Sequence, residues 1–199
     1  MPPHALIVDN GSRSVPLIAR EVTTAGWACT VLPLTALPTA GSAGSPGSAG
    51  SVGSVGFDAV ILSGTDLPVW APVYHDELDL IRSSRVPLLG ICGGLQLIGR
   101  AFGADVEEGS SVIGRTRVSL AAGVPLFTGM PAQVELFQRH KYRLASLPPD
   151  WEAIATSANC KLEGIWNPPS GSYGMQAHLE FRAEGRAMLR RFLALAAAC

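Results

Sequence analysis

The 199-residue sequence predicts a three-layer α/β fold with a central, mostly parallel sheet, and three observations carry that reading. Short branched apolar runs alternate with amphipathic segments through the first half of the chain. Each run stops at a polar or glycine-containing loop. The second half then changes to brief hairpin-like runs before a terminal helix.

The first run is Ala5 to Val8, ending at Asp9, Asn10, Gly11 and Ser12 in the manner of a buried parallel strand. Val15 to Ala25 follows with Val15, Ile18, Ala19 and Val22 at helical spacing and Gly26 as its stop. Trp27 to Leu34 returns to strand-like composition, which completes a β-α-β unit. From residue 39 to 56 the chain is almost wholly Gly, Ser, Ala and Pro, a composition expected of a flexible insertion inside one domain spanning 1–199. Phe57 to Leu62 is the next strand, His75 to Ser84 a helix with Leu78 and Ile81 inward, and Val86 to Ile91 a further strand. Gly94 to Phe102 is a helix closed by Gly103. Beyond Val112 the expected strands are Arg115–Leu120, Val134–Phe137, Trp151–Ser157, Leu162–Trp166 and Tyr173–Ala177, with a last helix over Glu184–Ala198.

Composition narrows the function classes. An apolar content of 47%, with 16% charged residues, belongs to a folded globular chain. A formal net charge of −1 supplies no basic field for nucleic acid or anionic lipid. No apolar run approaches the roughly 20 residues of a membrane span, and the first residues lack a secretory pattern. Cysteines 29, 92, 160 and 199 form no CxxC pair and have no histidine at metal-ligand spacing. No metal or cofactor is expected, and reduced thiols suit a cytoplasmic location.

The sharpest local feature is Cys92 in the run Leu89 to Gln96. A strand ends at Ile91, a helix begins near Gly94, and glycines flank the thiol on both sides. Most cysteines are packed core residues, but a core site does not need such backbone freedom. A strand-to-helix turn of this kind pushes a side chain out at the top of a sheet. The helix N-terminus favours a thiolate, and its free N–H groups face the position of an oxyanion. Four histidines are candidates for the base. His4 lies in the N-terminal tail and His75 follows a Pro-rich turn, so both are expected at the surface. His140 falls in a polar hairpin region. His178 is followed two residues later by Glu180, and extended chain points both the same way, so the carboxylate can orient the ring.

Gly90 to Gln96 and Tyr173 to Glu180 resemble the nucleophile and His-x-Glu motifs of class I glutamine amidotransferases. Leu6 to Ser12 and Leu17 to Arg20 are similar to the start of such glutaminase domains. Ile61 to Gly64 resembles the family's oxyanion loop, and His140, ahead of Leu147 and Pro148, matches another landmark. The resemblance implies the family's flavodoxin-like fold and a triad of Cys92, His178 and Glu180. It further implies an oxyanion held by the N–H groups of Gly93 and of Thr65 or its neighbour. Gly64, Gln96 and His140 fall at oxyanion and substrate positions. The implied substrate is L-glutamine, and the implied partner is a separate synthase that receives the ammonia, since no acceptor domain is seen in the sequence. Exposed Trp70 and Val73 could contribute to that docking or be ordinary loop packing.

Five positions depart from the pattern. Thr65-Asp66 replaces a second glycine and proline, so the loop is expected to sit differently, because Thr avoids positive φ. Ala177 and Leu179 replace the aromatic and proline flanking the histidine, and Leu179 is expected to give the His178–Glu180 turn more freedom. Val112 stands where the family has an acid. Two rival readings remain open: a stand-alone Cys-His-Glu hydrolase or acyltransferase acting on a γ-glutamyl or other amide, and a non-catalytic regulatory subunit.

Overall fold

Alternation along the apolar runs decides the layers. The computed structural model describes residues 1–37 and 56–198, so the insertion expected at 39–56 lies outside the described residues except for Gly56. In chain order the elements are β1 (His4–Asp9), α1 (Val15–Thr24), β2 (Ala28–Pro33), β3 (Ala59–Leu62), α2 (His75–Ser83), β4 (Leu88–Ile91) and α3 (Gly93–Ala101). There follow β5 (Val106–Leu120), β6 (Gln133–Leu144), β7 (Glu152–Ser157), β8 (Gly164–Asn167), β9 (Ser172–Met175) and α4 (Ala183–Ala196). Ala5, Ile7, Ala59, Ile61, Leu89 and Ile91 face one core together with Ile18 and Val22 of α1 and Leu189 and Phe192 of α4. Leu6, Val8, Val60, Leu62 and Leu88 face the other, with Leu80 and Ile81 of α2 and Leu95 and Ile98 of α3. Strands buried on both faces read as continuous apolar runs, which is why the four-residue β3 and β4 were visible at all.

The strands form a single sheet in the order β2-β1-β3-β4-β9-β8-β7-β5-β6. It is parallel from β2 across to β9 and antiparallel from β9 outward. Strand β1 has β2 on one side and β3 on the other, so the chain switches direction there. The loops after β1 and β3 therefore part at the carboxyl ends of the strands, the position where open α/β sheets place their sites. Because β4 and β9 are parallel, with Ile91 opposite Met175, the residues that follow each strand emerge side by side. That register brings position 92 and positions 176–180 together.

Several expectations need correction. His4 is part of β1, its ring bonded to Thr30 Oγ1 at 2.9 Å and packed edge-on against Phe57. His140 lies in the polar hairpin expected of it, on β6 paired with β5, but both strands are far longer than the apolar stretches expected for them. Their polar, exposed ends carry no hydrophobic signature, yet they remain paired down to Val106 and Leu144. On α2 the inward face is Glu77, Leu80 and Ile81, with Leu78 only partly buried.

Close packing at the β4–α3 junction depends on absent side chains. A Cβ at Gly94 would lie 2.3 Å from Leu62 O, and one at Gly90 would lie 2.6 Å from the backbone of Gly94. Backbone cannot move aside as a side-chain tip can. Gly94→Ala is expected to destabilise the protein by about 2–3 kcal/mol, read as a lower midpoint in chemical denaturation.

Candidate active site

Cys92 caps the N-terminus of α3 with φ 53° and ψ −107°. Among the described non-glycine residues only Asp150 also has positive φ. Such a conformation costs roughly 1–3 kcal/mol and persists because its surroundings hold it. The Cys92 N–H donates to Met175 O at 2.8 Å, and the flanking glycines admit Leu62 and Thr65 against the turn. The sulfur lies 3.6 Å from Gln176 Nε2 and 3.7 Å from Arg139 O.

His178 comes from the segment after β9, where its N–H donates to Phe137 O of β6 at 2.9 Å. Its Nδ1 donates to Glu180 Oε1 at 2.8 Å, with both side chains buried. Nε2 is the nitrogen left for Cys92. The ring and the thiol flank one point: a Cβ on Gly64 would be 3.1 Å from His178 Cε1 and 3.6 Å from Cys92 Cβ. Burial acts to lower the His178 pKa, but hydrogen bonds to Cys92 and Glu180, and their charges, outweigh it and push it up to about 10. Two hydrogen-bonding partners, one on each ring nitrogen, are what favour the charged form of the ring.

The expected oxyanion residues also converge. A Cβ at Gly93 would be 2.9 Å from Thr65 N, so the two backbone amides lie next to each other. The Gly93 N–H belongs to the first turn of α3, where helix amides have no partner within the helix. Thr65 avoids positive φ, and its Oγ1 pins the loop by contacts to Tyr74 Oη at 2.5 Å and Leu67 N at 2.9 Å. Gln96 donates to Tyr142 O at 2.7 Å and to Gln176 Oε1 at 3.2 Å, which ties it to the same cluster. His140 is buried, and among the described residues neither ring nitrogen has a hydrogen-bond partner of good geometry. Burial lowers its pKa, reinforced by Arg143 and His178 and opposed by the Tyr142 carbonyl. Its cross-strand neighbour is Val112, so the lost acid leaves it without a carboxylate there. Leu179 is fully buried in the core shared with α4, and Gly185 packs against its backbone. That side chain anchors the triad turn, contrary to the added freedom expected of it.

A cavity opens onto His178 and is bordered by Ser12, Arg13, Thr65, Asp66, Arg139 and Phe181. Among the described residues no group of three or more His, Cys, Asp or Glu could hold a metal ion. No described helix is long and apolar enough to cross a membrane.

The model of the class I glutamine amidotransferase family matches residues 6–196. The chain belongs to that family. This amidotransferase is 31% identical over 150 residues to the glutamine-hydrolysing GMP synthase subunit of Thermoplasma acidophilum, covering 70% of this chain and 72% of that one. It is also 31% identical over 196 residues to the glutamine-hydrolysing GMP synthase of Thermus thermophilus, where the match spans 97% of this chain but 37% of the relative. A solved Thermoplasma acidophilum structure, described as that of a GMP synthase subunit, superposes with a TM-score of 0.86 at 25% identity, covering 100% of this chain and 96% of that one. A Thermotoga maritima glutamine amidotransferase shares the fold, with a TM-score of 0.71 at 23% identity and coverage of 100% and 84%.

Sequence reasoning missed four residues around the amidotransferase site. Gln176 stood inside the His-x-Glu segment and could have been found there. Ser14, Asn10 and Glu77 could not, because their contacts are long-range. Glu77, fully buried on α2, accepts from Asn10 Nδ2 at 3.0 Å. Asn10 in turn donates to Ser63 O at 3.1 Å and accepts nothing at Oδ1, while its N–H bonds Ser63 Oγ at 2.9 Å. This chain of bonds holds the residue just before Gly64 and Thr65. Burial pushes the Glu77 pKa up to about 8, opposed only by the Asn10 bond. Among the described residues Glu77 Oε2 and Asn10 Oδ1 have no hydrogen-bond partner, and with no cation paired to it the buried carboxyl favours its neutral form.

A carboxyl group with a raised folded-state pKa costs nothing while it is protonated in both states. The penalty grows once the unfolded chain ionises, near pH 4.5, and is complete above about pH 8. Glu77→Gln is therefore expected to match the wild type near pH 4.5 and to exceed it by roughly 2–4 kcal/mol at alkaline pH, in denaturation curves taken across that range.

Proposed function

We propose that this chain hydrolyses the side-chain amide of L-glutamine through a γ-glutamyl thioester on Cys92 and delivers the ammonia to a synthase partner. The single observation that carries this reading is the junction of Cys92, at the strained cap of α3, with the buried His178–Glu180 pair. Cys92 attacks the amide carbon as a thiolate, and the carbonyl oxygen becomes an oxyanion held by the Gly93 and Thr65 amides. The imidazolium of His178 gives its proton to the departing nitrogen, which leaves as ammonia. Acylation removes the thiolate charge that raised the His178 pKa, so the same ring becomes a competent base. It then takes a proton from water as that water attacks the thioester, and glutamate and free Cys92 are regenerated. Glu180 keeps Nδ1 protonated and the ring oriented throughout.

Gly64, Gln96 and His140 are assigned to the glutamine side of the site. Gly64 leaves the space between sulfur and ring open, since even a methyl group there would crowd His178. Gln96 and His140 hold family substrate positions from within the core, where Gln96 ties Tyr142 and Gln176 together beside the sulfur. The similarity to a protein named as a glutamine-hydrolysing GMP synthase subunit supports a synthase as the recipient of ammonia. A cytoplasmic location follows from the need to keep Cys92 reduced.

Ammonia release from glutamine by the purified chain, alone and with co-purifying synthase, tests the proposal. Cys92→Ala is expected to lower the rate by at least about a thousandfold and to abolish covalent labelling by a glutamine-like diazoketone. Glutamine hydrolysis that persists in Cys92→Ala would refute the assignment.

A further inference from the structure

Ser14 occupies the N-cap position of α1, where a serine hydroxyl ordinarily accepts a bond from a first-turn N–H. It makes no such cap here. Its Oγ donates instead to Glu180 Oε1, 166 positions away in sequence. An ionised carboxylate can only accept, and a hydroxyl has one proton to give. Ser14 is thus committed to Glu180, and the contact of 2.8 Å between the hydroxyls of Ser12 and Ser14 must have Ser12 as donor. A directed chain runs from Ser12 through Ser14 to Glu180 Oε1, which also receives Nδ1 of His178 at 2.8 Å. Among the described residues Glu180 Oε2 has no hydrogen-bond partner. The two donors at Oε1 are therefore what fix the carboxylate.

We propose that Ser14 is a positioning residue for the triad, holding Glu180 so that the carboxylate keeps His178 aligned on Cys92, with Ser12 setting the direction of the Ser14 hydroxyl. This rests on the glutaminase reading of the same site. The bond lies where both Ser14 and Glu180 are buried, so solvent does not weaken it. It also explains why a serine in a capping position leaves its helix uncapped. Ser14 and Glu180 come from opposite ends of the chain, so the bond staples the loop after β1 to the turn after β9.

The test compares wild type, Ser14→Ala, Ser14→Thr and Ser12→Ala in two assays. Glutamine turnover in Ser14→Ala is expected to fall about tenfold in kcat with KM little changed. Ser14→Thr, which keeps the hydroxyl, should recover most of that loss, and Ser12→Ala should lose less than Ser14→Ala. The second assay follows alkylation of Cys92 by iodoacetamide against pH. Its midpoint should move upward in Ser14→Ala, because a poorly held imidazolium stabilises the thiolate less. Ser14→Ala also loses a buried bond to a charged group, so a lower thermal midpoint is expected in it, and the decision rests on kcat and the alkylation profile. Unchanged kcat with an unchanged alkylation profile would overturn the proposal, as would a thermal loss that Ser14→Thr repairs without any change in kcat. Wild type that alkylates normally but never hydrolyses glutamine would refute the glutaminase reading, and the alkylation profiles would still decide the role of Ser14.

Discussion

The proposed chemistry depends on one contact, between a sulfur and an imidazole that come from different parallel strands. Cys92 follows β4 and His178 follows β9, and the in-register pairing of Ile91 with Met175 makes them neighbours. A sulfur anion and a buried cation would each be costly alone. Together, with Glu180 on the far nitrogen, burial becomes an advantage, because low polarity strengthens the attraction. The balance shows in His178, whose raised pKa withstands a desolvation penalty acting in the opposite direction.

The scaffold can be understood as a set of restraints on that contact. The strained backbone at Cys92 is tolerated because Gly90, Gly93 and Gly94 let neighbouring backbone close around it. Thr65, which replaces a glycine, holds the adjoining loop through its hydroxyl to Tyr74, so the loop keeps its place without positive φ. Leu179 fills the core beneath the triad turn. A departure from a family pattern can thus be matched by a different physical restraint at the same point.

How much of this the sequence disclosed depended on the range of each contact. The glycine-bounded Cys92 and the His178–Glu180 pair were legible because their geometry is local: a strand, a tight turn, and a spacing of two. The buried strands β3 and β4 were legible because both faces are apolar. Strands β5 and β6 were underestimated because much of their length is polar and exposed, and mutual pairing defines them better than composition does. Ser14 with Glu180 and Asn10 with Glu77 were invisible, since nothing in a chain announces that a serine will forgo its helix for a carboxylate 166 residues later. His4 was misplaced for a similar reason, as Thr30 and Phe57 make a strand residue of what looked like a tail.

The most direct test is an NMR titration of the His178 ring in wild type and in Cys92→Ala. The account predicts that wild-type His178 stays protonated well above neutral pH, toward about 10, and that removing the sulfur lowers its pKa, leaving Glu180 to oppose burial alone. A ring that titrates near 6.5 in both proteins would contradict the sulfur–imidazole contact on which the site depends.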